Sequence, residues 1–385
     1  MTRKESSRNG SIGLVKTHSV TFSGADSVLH LESGNTLHPL TVAYETYGEL
    51  SSEKDNAILV CHALSGDAHA AGYHTRNPRE KPGWWDLMIG PGKPLDTNRY
   101  FVVCSNFLGG CKGTTGPADI DPATGRRYGL KFPFYTVKDM VKVQKWLLDY
   151  LGIEKLLAVT GGSLGGMQVL QWSISYPEKI KGAIPIAATA RLSPQAIAFN
   201  EVARQAIMSD PSWNYGLYEP DMQPESGLAL ARMIAHITYL SEKAMLRKFS
   251  RRMINGTEPG FKLEADFQVE SYLHHQGSTF VKRFDANTYL YITRAMDYFD
   301  LHQEYGNLKK AFEPCTGSFL VISFTSDWLF PPAQSQELVK ALRQAGQNVS
   351  YCNIGSDQGH DAFLLPGNRL GDVLSGFLTR LEKES

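Results

Sequence analysis

The sequence has no excess of either charge and no long apolar run. Lys plus Arg and Asp plus Glu both total 39, so nothing in the composition indicates binding to nucleic acid or to an anionic membrane. No run of about 18 apolar residues is present, and no membrane-spanning helix is therefore predicted. The polar start of the chain is followed by no apolar segment, so residues 1–12 are interpreted as a frayed tail rather than a signal peptide.

Cysteine is scarce and scattered. The chain has five cysteines, an odd number, and no C-x-x-C pair occurs among them. This pattern argues against a disulfide framework and against a zinc ribbon. A reducing, cytoplasmic setting is the simplest prediction.

Motifs for phosphate and metal binding are also missing. The glycine-rich stretch Asn106–Pro117 lacks the G-x-x-x-x-G-K-[ST] pattern of a phosphate loop, so it is interpreted as a rim loop of an active site. Several histidines and aspartates lie close together in sequence, but they do not have H-E-x-x-H or similar spacing: His62, Asp67, His69, His74 and Asp86. No metal site is therefore expected.

Short apolar runs that alternate with helix-like segments are what the sequence does contain. The runs NAILVCHAL, RYFVVCSNF, KLLAVTGG and GAIPIAAT are typical of strands buried on both faces of a parallel sheet. Earlier β-like runs, within the first 50 residues, predict antiparallel strands at one edge of that sheet. The alternation predicts a doubly wound α/β domain with a mostly parallel central sheet flanked by helices.

This alternation stops near Arg191 and resumes with the strand-like run SFLVISF. Residues of about 193–305 have helical patterns and no convincing parallel strand. We therefore predict one α/β core, formed by residues 1–192 and 306–385, with a helical lid at 193–305 inserted after the sixth strand.

Ser163 stands between two glycine pairs, in the sequence GGSLGGMQ. A serine near a helix N-terminus is often only a cap. Here, however, G-x-S-x-G follows a predicted strand and precedes a predicted helix, which is the arrangement of a nucleophile elbow. The sequence therefore predicts that Ser163 is a nucleophile exposed above the end of the sheet.

Partners for this serine follow in the chain order of such a triad, which is Ser, acid, His. Asp327 lies in a loop directly after an apolar strand, and His360 lies in the loop after the last predicted strand. His360 would accept the serine proton, and Asp327 would orient the imidazole. Asp357 and Asp361 are rival acids, but their position on the histidine's own loop makes the geometry awkward.

An oxyanion hole needs two backbone N–H groups. One is expected from Leu164, the residue after the nucleophile, and the other from the loop LVCHALSGDAHAAG, where Leu64 is the best candidate. Together these groups predict acyl transfer through a covalent acyl-serine, but they do not identify the acyl acceptor.

Several longer segments make the sequence more specific than the elbow does. The chain resembles the homoserine O-acetyltransferases, a family of the α/β-hydrolase superfamily, from about Gly13 to the final helix. The segments that carry the resemblance are HALSGDAHAAG, KPGWWDLMIGPGKPLDTNRYFVVCSN, GGCKGTTGP, GGSLGGMQVLQW, IAFNEVARQAI and HDAFLLP.

The resemblance implies substrates and roles. Acetyl-CoA would be a consumed acetyl donor rather than a bound cofactor, and L-homoserine the acceptor, in a ping-pong reaction that feeds methionine biosynthesis. The family's substrate arginine falls on Arg204, for the homoserine carboxylate, and its aspartate falls on Asp361, for the ammonium. The resemblance also implies a homodimer that associates through the helical insertion.

Other activities on the same scaffold stay open at this point. The donor could be succinyl-CoA, the acceptor could be serine, or the enzyme could be a carboxylester hydrolase with the same triad. A succinyl pocket would need a further cation, which the sequence does not place. An esterase for apolar esters would not need the amino-acid clamp of Arg204 and Asp361.

Overall fold

An eight-stranded sheet forms the centre of the structure, a computed structural model that describes residues 10–77, 79–256, 258–261, 263–367 and 369–383. In chain order its strands are β1 (His18–Phe22), β2 (Leu40–Tyr47), β3 (Ala57–Cys61), β4 (Phe101–Ser105), β5 (Leu156–Gly162), β6 (Ile180–Ile186), β7 (Ser318–Phe324) and β8 (Val349–Ile354).

The strands lie side by side in the order β1-β2-β4-β3-β5-β6-β7-β8. Strand β2 runs antiparallel to both of its neighbours, and all other pairs are parallel. The carboxyl ends of β3, β5, β7 and β8 therefore meet at one edge of the sheet, where open α/β sheets hold their ligands. This edge positions the loops that carry the predicted site.

Helices cover the sheet and build the insertion. In chain order they are α1 (Val137–Tyr150), α2 (Leu164–Ser175), α3 (Pro194–Met208), α4 (Glu225–Tyr239), α5 (Glu242–Phe249), α6 (Gln268–Val281), α7 (Ala286–Asp297), α8 (Leu301–Tyr305), α9 (Leu308–Phe312), α10 (Pro332–Gln344) and α11 (Leu370–Lys383). Short 3₁₀ turns lie at Gly129–Lys131, Pro177–Lys179, Pro211–Gly216, Pro220–Met222 and His360–Leu364.

Both faces of the sheet are buried, which explains the continuous apolar runs of the parallel strands. On one face, the core includes Met140 of α1 and Trp172 of α2. On the other face, Leu374 and Phe377 of α11 pack together with Trp85. Strands sandwiched in this way keep apolar side chains on both sides, so their sequences do not alternate.

The predicted insertion spans α3 to α8, between β6 and β7. Helix α4 packs against both α3 and α6, and α3 and α4 line a cavity together with Ser163 and Leu64 at the carboxyl edge of the sheet. The insertion thus covers the loops that follow β3 and β5.

The expected tail, residues 1–12, lies mostly outside the described residues, which begin at Gly10. Beyond it the chain is tied down at once, because the Val15 N–H donates to the Tyr73 carbonyl at 2.9 Å. Of the helices that the structure describes, none combines the length and the apolar character that a membrane crossing requires.

Candidate active site

Ser163 occupies a strained turn between β5 and α2. Its backbone has φ 57° and ψ −122°, in the left-handed region that a residue with a Cβ adopts only at a cost. The Ser163 N–H donates to the Ile186 carbonyl at 3.0 Å, which fixes the turn against β6. The predicted nucleophile elbow is therefore present in the backbone.

Close packing on both sides of the turn explains why two glycine pairs flank the serine. At Gly161 and Gly165, an added Cβ would lie 2.4 and 2.1 Å from the Cys61 carbonyl oxygen at the end of β3. Both distances are far inside van der Waals contact, so any side chain here would push β3 away from the elbow.

The other two glycines meet different neighbours. A Cβ on Gly162 would lie 2.5 Å from the Phe363 ring, and one on Gly166 would lie 2.5 Å from the Ala188 methyl group. The four glycines thus allow a strand, an aromatic ring and a further loop to pack closely around Ser163.

Ser163, His360 and Asp327 form one buried hydrogen-bonded chain. The Ser163 Oγ lies 2.8 Å from His360 Nε2, and His360 Nδ1 lies 2.7 Å from Asp327 Oδ2. The other carboxylate oxygen of Asp327 accepts from the backbone N–H groups of Leu329 and Phe330, at 3.0 and 2.9 Å. Because both oxygens are held, the acid can fix the orientation and the tautomer of the imidazole.

Two opposing effects set the pKa of His360. Burial disfavours the imidazolium and lowers the pKa, but the carboxylates of Asp327 and, more weakly, Asp361 favour it, and the net result is a pKa above the ordinary value. A histidine base in such a setting takes up a proton readily once the serine attacks.

The rival acids lie elsewhere. Asp357 forms an ion pair with Arg247 at the surface, and it makes none of the hydrogen bonds of His360. Asp361 follows the histidine at the start of a 3₁₀ turn and is partly buried. Burial raises the pKa of Asp361, against the lowering influence of His360 and Arg232, so a bound cation would stabilise its charged form.

The two amides expected to form the oxyanion hole flank the serine. Leu64 lines the same cavity as Ser163, and Leu164 is the first residue of α2. Across the part of the chain that the structure describes, neither N–H donates a hydrogen bond to a protein acceptor. Buried amides without a partner are rare, so both N–H groups remain candidates for binding a substrate oxygen.

A mostly apolar cavity leads away from Ser163 beneath the insertion. Its walls come from helices α3, α4 and α7 and from the loop after Asp327, and its apolar lining includes Leu192, Ala196, Phe199, Ala203, Ile234, Met296, Leu329 and Phe330. Such a wall suits an uncharged acyl chain or thioester more than a free ion.

The corner between α4 and α5 contacts both loops that carry the acid and the histidine. The Trp328 Nε1–H donates to the Leu240 carbonyl at 3.0 Å, beside Asp327, and the Ser241 hydroxyl donates to the Asp357 carbonyl. The chain also passes so close to Gly359 that a Cβ there would lie 2.5 Å from the Tyr239 carbonyl oxygen. The insertion thus holds the triad loops from above.

Arg204 does not reach the cavity, contrary to what the resemblance implied. Its guanidinium is buried and contacts two carboxylates, with Nη2 2.8 Å from Glu201 and Nη1 2.8 Å from Asp297, the second contact being electrostatic rather than a hydrogen bond. It is absent from the lining formed by the described residues, whereas Asn200 and Ala203 of the same helix are present. A guanidinium already neutralised in this way has little left to offer a substrate carboxylate.

Arg232 is the arginine that sequence reasoning missed. It is buried, its Nη1 donates to the Ser65 Oγ at 3.3 Å, and its charge acts on Asp361. Its guanidinium carbon lies 4.7 Å from the centre of the Phe280 ring. Among the described residues, no carboxylate lies within ion-pair distance of Arg232.

A second arginine lies close to it. Arg283 donates to the Ser65 carbonyl at 2.8 Å and also stacks on Phe280, with its guanidinium carbon 5.2 Å from the ring centre. Burial, and then the neighbouring charge of Arg232, lower the pKa of Arg283. Two cations thus share a partly buried position beside the loop of Leu64, which therefore favours an anionic ligand.

A histidine and carboxylate cluster lies outside this site. Among the described residues, one group has ligand atoms close enough together to hold a metal ion, and it consists of Glu45, His69 and His74. The buried Glu45 carboxylate already accepts from both imidazoles, from the Thr17 hydroxyl and from the Tyr47 hydroxyl, at 2.7–3.1 Å. Burial raises the Glu45 pKa, but these hydrogen bonds outweigh it and lower the pKa to about 2. Through the buried Glu45 carboxylate the cluster ties β2 to the loop after β3, although His74 is exposed and His69 Nε2 is buried without a hydrogen-bond partner among the described residues.

Comparison with known proteins identifies the family. A family model described as the alpha/beta hydrolase fold matches residues 56–366. A protein named homoserine O-acetyltransferase from Methanohalobium evestigatum is 59% identical over 351 residues, which cover 91% of this chain and 71% of that protein. One of the same name from Desulfotalea psychrophila is 54% identical and covers 97% of both chains. The chain belongs to the homoserine O-acetyltransferase family.

Solved structures show how far this fold is shared. The homoserine O-acetyltransferase of Bacillus anthracis superposes with a TM-score of 0.87 at 31% identity, covering 95% of this chain and 98% of that one. Esterase E22 superposes with a TM-score of 0.85 at 28% identity, covering 96% and 100%. Since a transferase of the family and an esterase have nearly the same backbone, the acyl acceptor must be argued from side chains.

The acid of this homoserine O-acetyltransferase family member can be tested with two matched variants. Asp327→Asn should lower kcat by about 10⁴-fold, because an asparagine favours the wrong imidazole tautomer. Asp357→Asn should leave kcat within about twofold, because the Asp357 side chain pairs with Arg247 and makes none of the hydrogen bonds of His360. Steady-state release of CoA from acetyl-CoA in the presence of homoserine measures both. The opposite ranking would show that the acid has been misassigned.

The pKa of His360 gives a second prediction. Its raised pKa keeps the imidazole protonated, and so inactive as a base, up to a pH above the ordinary histidine value of about 6.5. The acidic limb of the CoA burst rate should therefore have its midpoint above that value. In Asp361→Asn the midpoint should fall, because one carboxylate that favours the imidazolium is lost. In Asp357→Asn it should not move, and a midpoint at or below the ordinary value in the parent protein would contradict the assignment.

Proposed function

We propose that this protein transfers the acetyl group of acetyl-CoA to the hydroxyl group of L-homoserine through an acetyl-Ser163 intermediate. The observation that carries the proposal is the juxtaposition of a hydrogen-bonded triad with a buried, unneutralised Arg232 and the carboxyl group of Asp361. A serine hydrolase of apolar esters needs the triad but gains nothing from two opposite charges beside it. An amino-acid acceptor needs both.

The first half-reaction uses the triad and the two free amides. Ser163 Oγ attacks the thioester carbonyl while its proton passes to His360 Nε2, and the oxyanion accepts from the N–H groups of Leu64 and Leu164. The carbon–sulfur bond then breaks, and the imidazolium returns its proton to the CoA thiolate as it leaves. The apolar cavity fits the uncharged acetyl and thioester portion of the donor.

The second half-reaction uses the charges. The homoserine carboxylate would pair with Arg232 and its ammonium with Asp361, which brings the side-chain hydroxyl toward the acyl-serine. His360 removes the hydroxyl proton, the oxygen attacks the acetyl carbonyl, and Ser163 leaves with the proton that His360 returns. The product would supply methionine biosynthesis. In this scheme acetyl-CoA is a substrate, and the reaction needs no resident cofactor or metal.

Esterase activity is the second candidate, because esterase E22 shares the backbone at a TM-score of 0.85. The experiment that separates the two uses purified protein with acetyl-CoA and follows thiol release with and without homoserine. Transfer predicts a burst of about one CoA per site without homoserine and turnover with it. Rapid hydrolysis of acetyl-CoA, at a rate that homoserine does not change, would indicate a hydrolase. Parallel reactions with succinyl-CoA or with serine test the other donor and the other acceptor.

The acceptor clamp can be tested by two like-for-like substitutions. Arg232→Lys keeps a cation but loses the planar fork that holds a carboxylate, so the homoserine KM should rise about tenfold or more while the CoA burst stays close to that of the parent protein. Arg204→Lys should leave the homoserine KM unchanged, because Arg204 is engaged with Glu201 and Asp297. A raised KM in Arg204→Lys and a normal KM in Arg232→Lys would restore the assignment that the resemblance implied.

We also propose that the chain forms a homodimer through the helical insertion. Large apolar side chains are exposed on successive helices of this region, with Val202 on α3, Leu230 on α4 and Leu246 on α5 at 56%, 48% and 65% exposure. Exposed apolar groups that recur on neighbouring helices are typical of an interface.

Sedimentation velocity tests the dimer with the double variant Val202→Glu/Leu230→Glu. New charges in an apolar interface should shift a dimer to monomer at micromolar concentration. Leu14→Glu is the control, since Leu14 is 53% exposed but lies outside the helical insertion. If the double variant stays dimeric, the interface lies elsewhere.

A further inference from the structure

The two amides of the oxyanion hole belong to different parts of the chain. Leu64 follows β3, whereas Leu164 begins α2, and the distance between their N–H groups depends on how the end of β3 sits against that helix. The catalytic value of an oxyanion hole lies in donors that are already in place before charge develops. A residue that bonds both parts would therefore control this distance.

Gln168 makes such a bridge. Its side-chain Nε2 lies 3.3 Å from the His62 carbonyl oxygen, two residues before Leu64, and 3.3 Å from the Leu164 carbonyl oxygen on its own helix. The side chain is completely buried. One amide group thus donates to both segments that supply the oxyanion hole.

A chain of buried neighbours fixes which end of the Gln168 amide faces the two carbonyls. The indole N–H of Trp172 can only donate, and it donates to Gln144 Oε1 at 2.7 Å. The NH₂ group of Gln144 must then face Gln168, and it donates to Gln168 Oε1 at 2.7 Å. The NH₂ group of Gln168 is left to face the carbonyls of His62 and Leu164.

We propose that Gln168 is a positioning residue that holds the two oxyanion-hole amides at the separation required for acyl transfer. It touches no reacting atom, and it acts through the backbone of His62 and Leu164. The inference rests on the proposed acyl-serine chemistry, but it does not depend on which acyl acceptor is used. It also assigns a role to the glutamine of the GGSLGGMQ segment that the elbow motif leaves without one.

Two substitutions of Gln168 and one matched control test this role. Gln168→Met removes both donations, and Gln168→Glu keeps the size of the side chain and an oxygen that accepts from Gln144. Gln171→Met is the control, because Gln171 is equally buried on the same helix but donates to the Ser175 hydroxyl instead. The measurements are the burst rate with 4-nitrophenyl acetate, the rate of Ser163 labelling by an alkyl fluorophosphonate, the acetyl-CoA KM and the melting temperature.

We expect Gln168→Met to lower both the burst rate and the labelling rate by about tenfold or more. This loss is smaller than the 10²- to 10³-fold loss that follows removal of an oxyanion-hole donor, because both donors are still present. The acetyl-CoA KM should stay within about twofold, because ground-state binding does not use the oxyanion hole. Gln171→Met should lower the melting temperature comparably and leave both rates close to those of the parent.

Gln168→Glu adds a readout that packing alone would not change. A carboxyl group buried against two carbonyls should stay protonated near neutral pH and donate one hydrogen bond, and it should lose that bond as it ionises. The ratio of its burst rate to that of the parent should therefore fall as pH rises.

Equal losses of rate in Gln168→Met and Gln171→Met would reduce Gln168 to a packing role, and so would parent-like rates in both Gln168 variants. Failure of the proposed function would be visible separately. A parent protein that is labelled and acylated by the small probes but never acetylates homoserine would leave the role of Gln168 testable and overturn only the acceptor.

Discussion

The close approach of the Cys61 carbonyl to the turn around Ser163 is the constraint on which the site depends. It requires glycine at two positions of the turn, and the nucleophile between them adopts a backbone conformation that costs about 1–3 kcal/mol. That cost can be borne only because the surrounding sheet is buried on both faces. In return, the end of β3 is held beside α2, and these two segments carry Leu64 and Leu164, the residues proposed to supply the oxyanion hole.

The charged groups of the site differ in how many partners they have. The carboxylate of Asp327 is fully hydrogen-bonded, to one imidazole and two backbone amides. It is therefore a stable partner for a histidine that is protonated transiently during the reaction. Arg232 has no such partner among the described residues, and it lies where burial makes an unpaired cation costly. In the proposed mechanism the fully bonded carboxylate orients the base, whereas the unpaired guanidinium is free to bind the substrate carboxylate.

How much could be predicted from sequence follows from how local each signal is. The elbow was predictable because its strain, its glycines and its serine lie within six consecutive residues. Asp327 and His360 were predictable because the ends of parallel strands meet at one edge of a sheet. A residue in the loop directly after such a strand therefore lies at that edge in the fold. The parallel core and the helical insertion followed from hydrophobic pattern for the same reason.

The arginines could not be ranked in this way. Arg204 and Arg232 both lie on amphipathic helices of the insertion, and their sequence contexts do not distinguish them. What distinguishes them is Asp297, which is 93 residues from Arg204 in sequence and neutralises it, and Ser65, which is 167 residues from Arg232. One signal was available: Arg232, His236 and Tyr239 recur at helical spacing on one face of α4, so three polar or aromatic groups point together into the fold.

The corner between α4 and α5 has a consequence for the acyl-enzyme. Because that corner bonds the loops of both Asp327 and His360, any displacement of the insertion also disturbs the acid and the base. Bulk water would reach the proposed acetyl-serine most easily if the insertion were displaced, and the histidine that activates the water would then be out of alignment. In the proposed mechanism, the contacts that cover the site would therefore also misalign its base whenever the site is uncovered, which would protect the acetyl group from hydrolysis before an amino acid occupies the site.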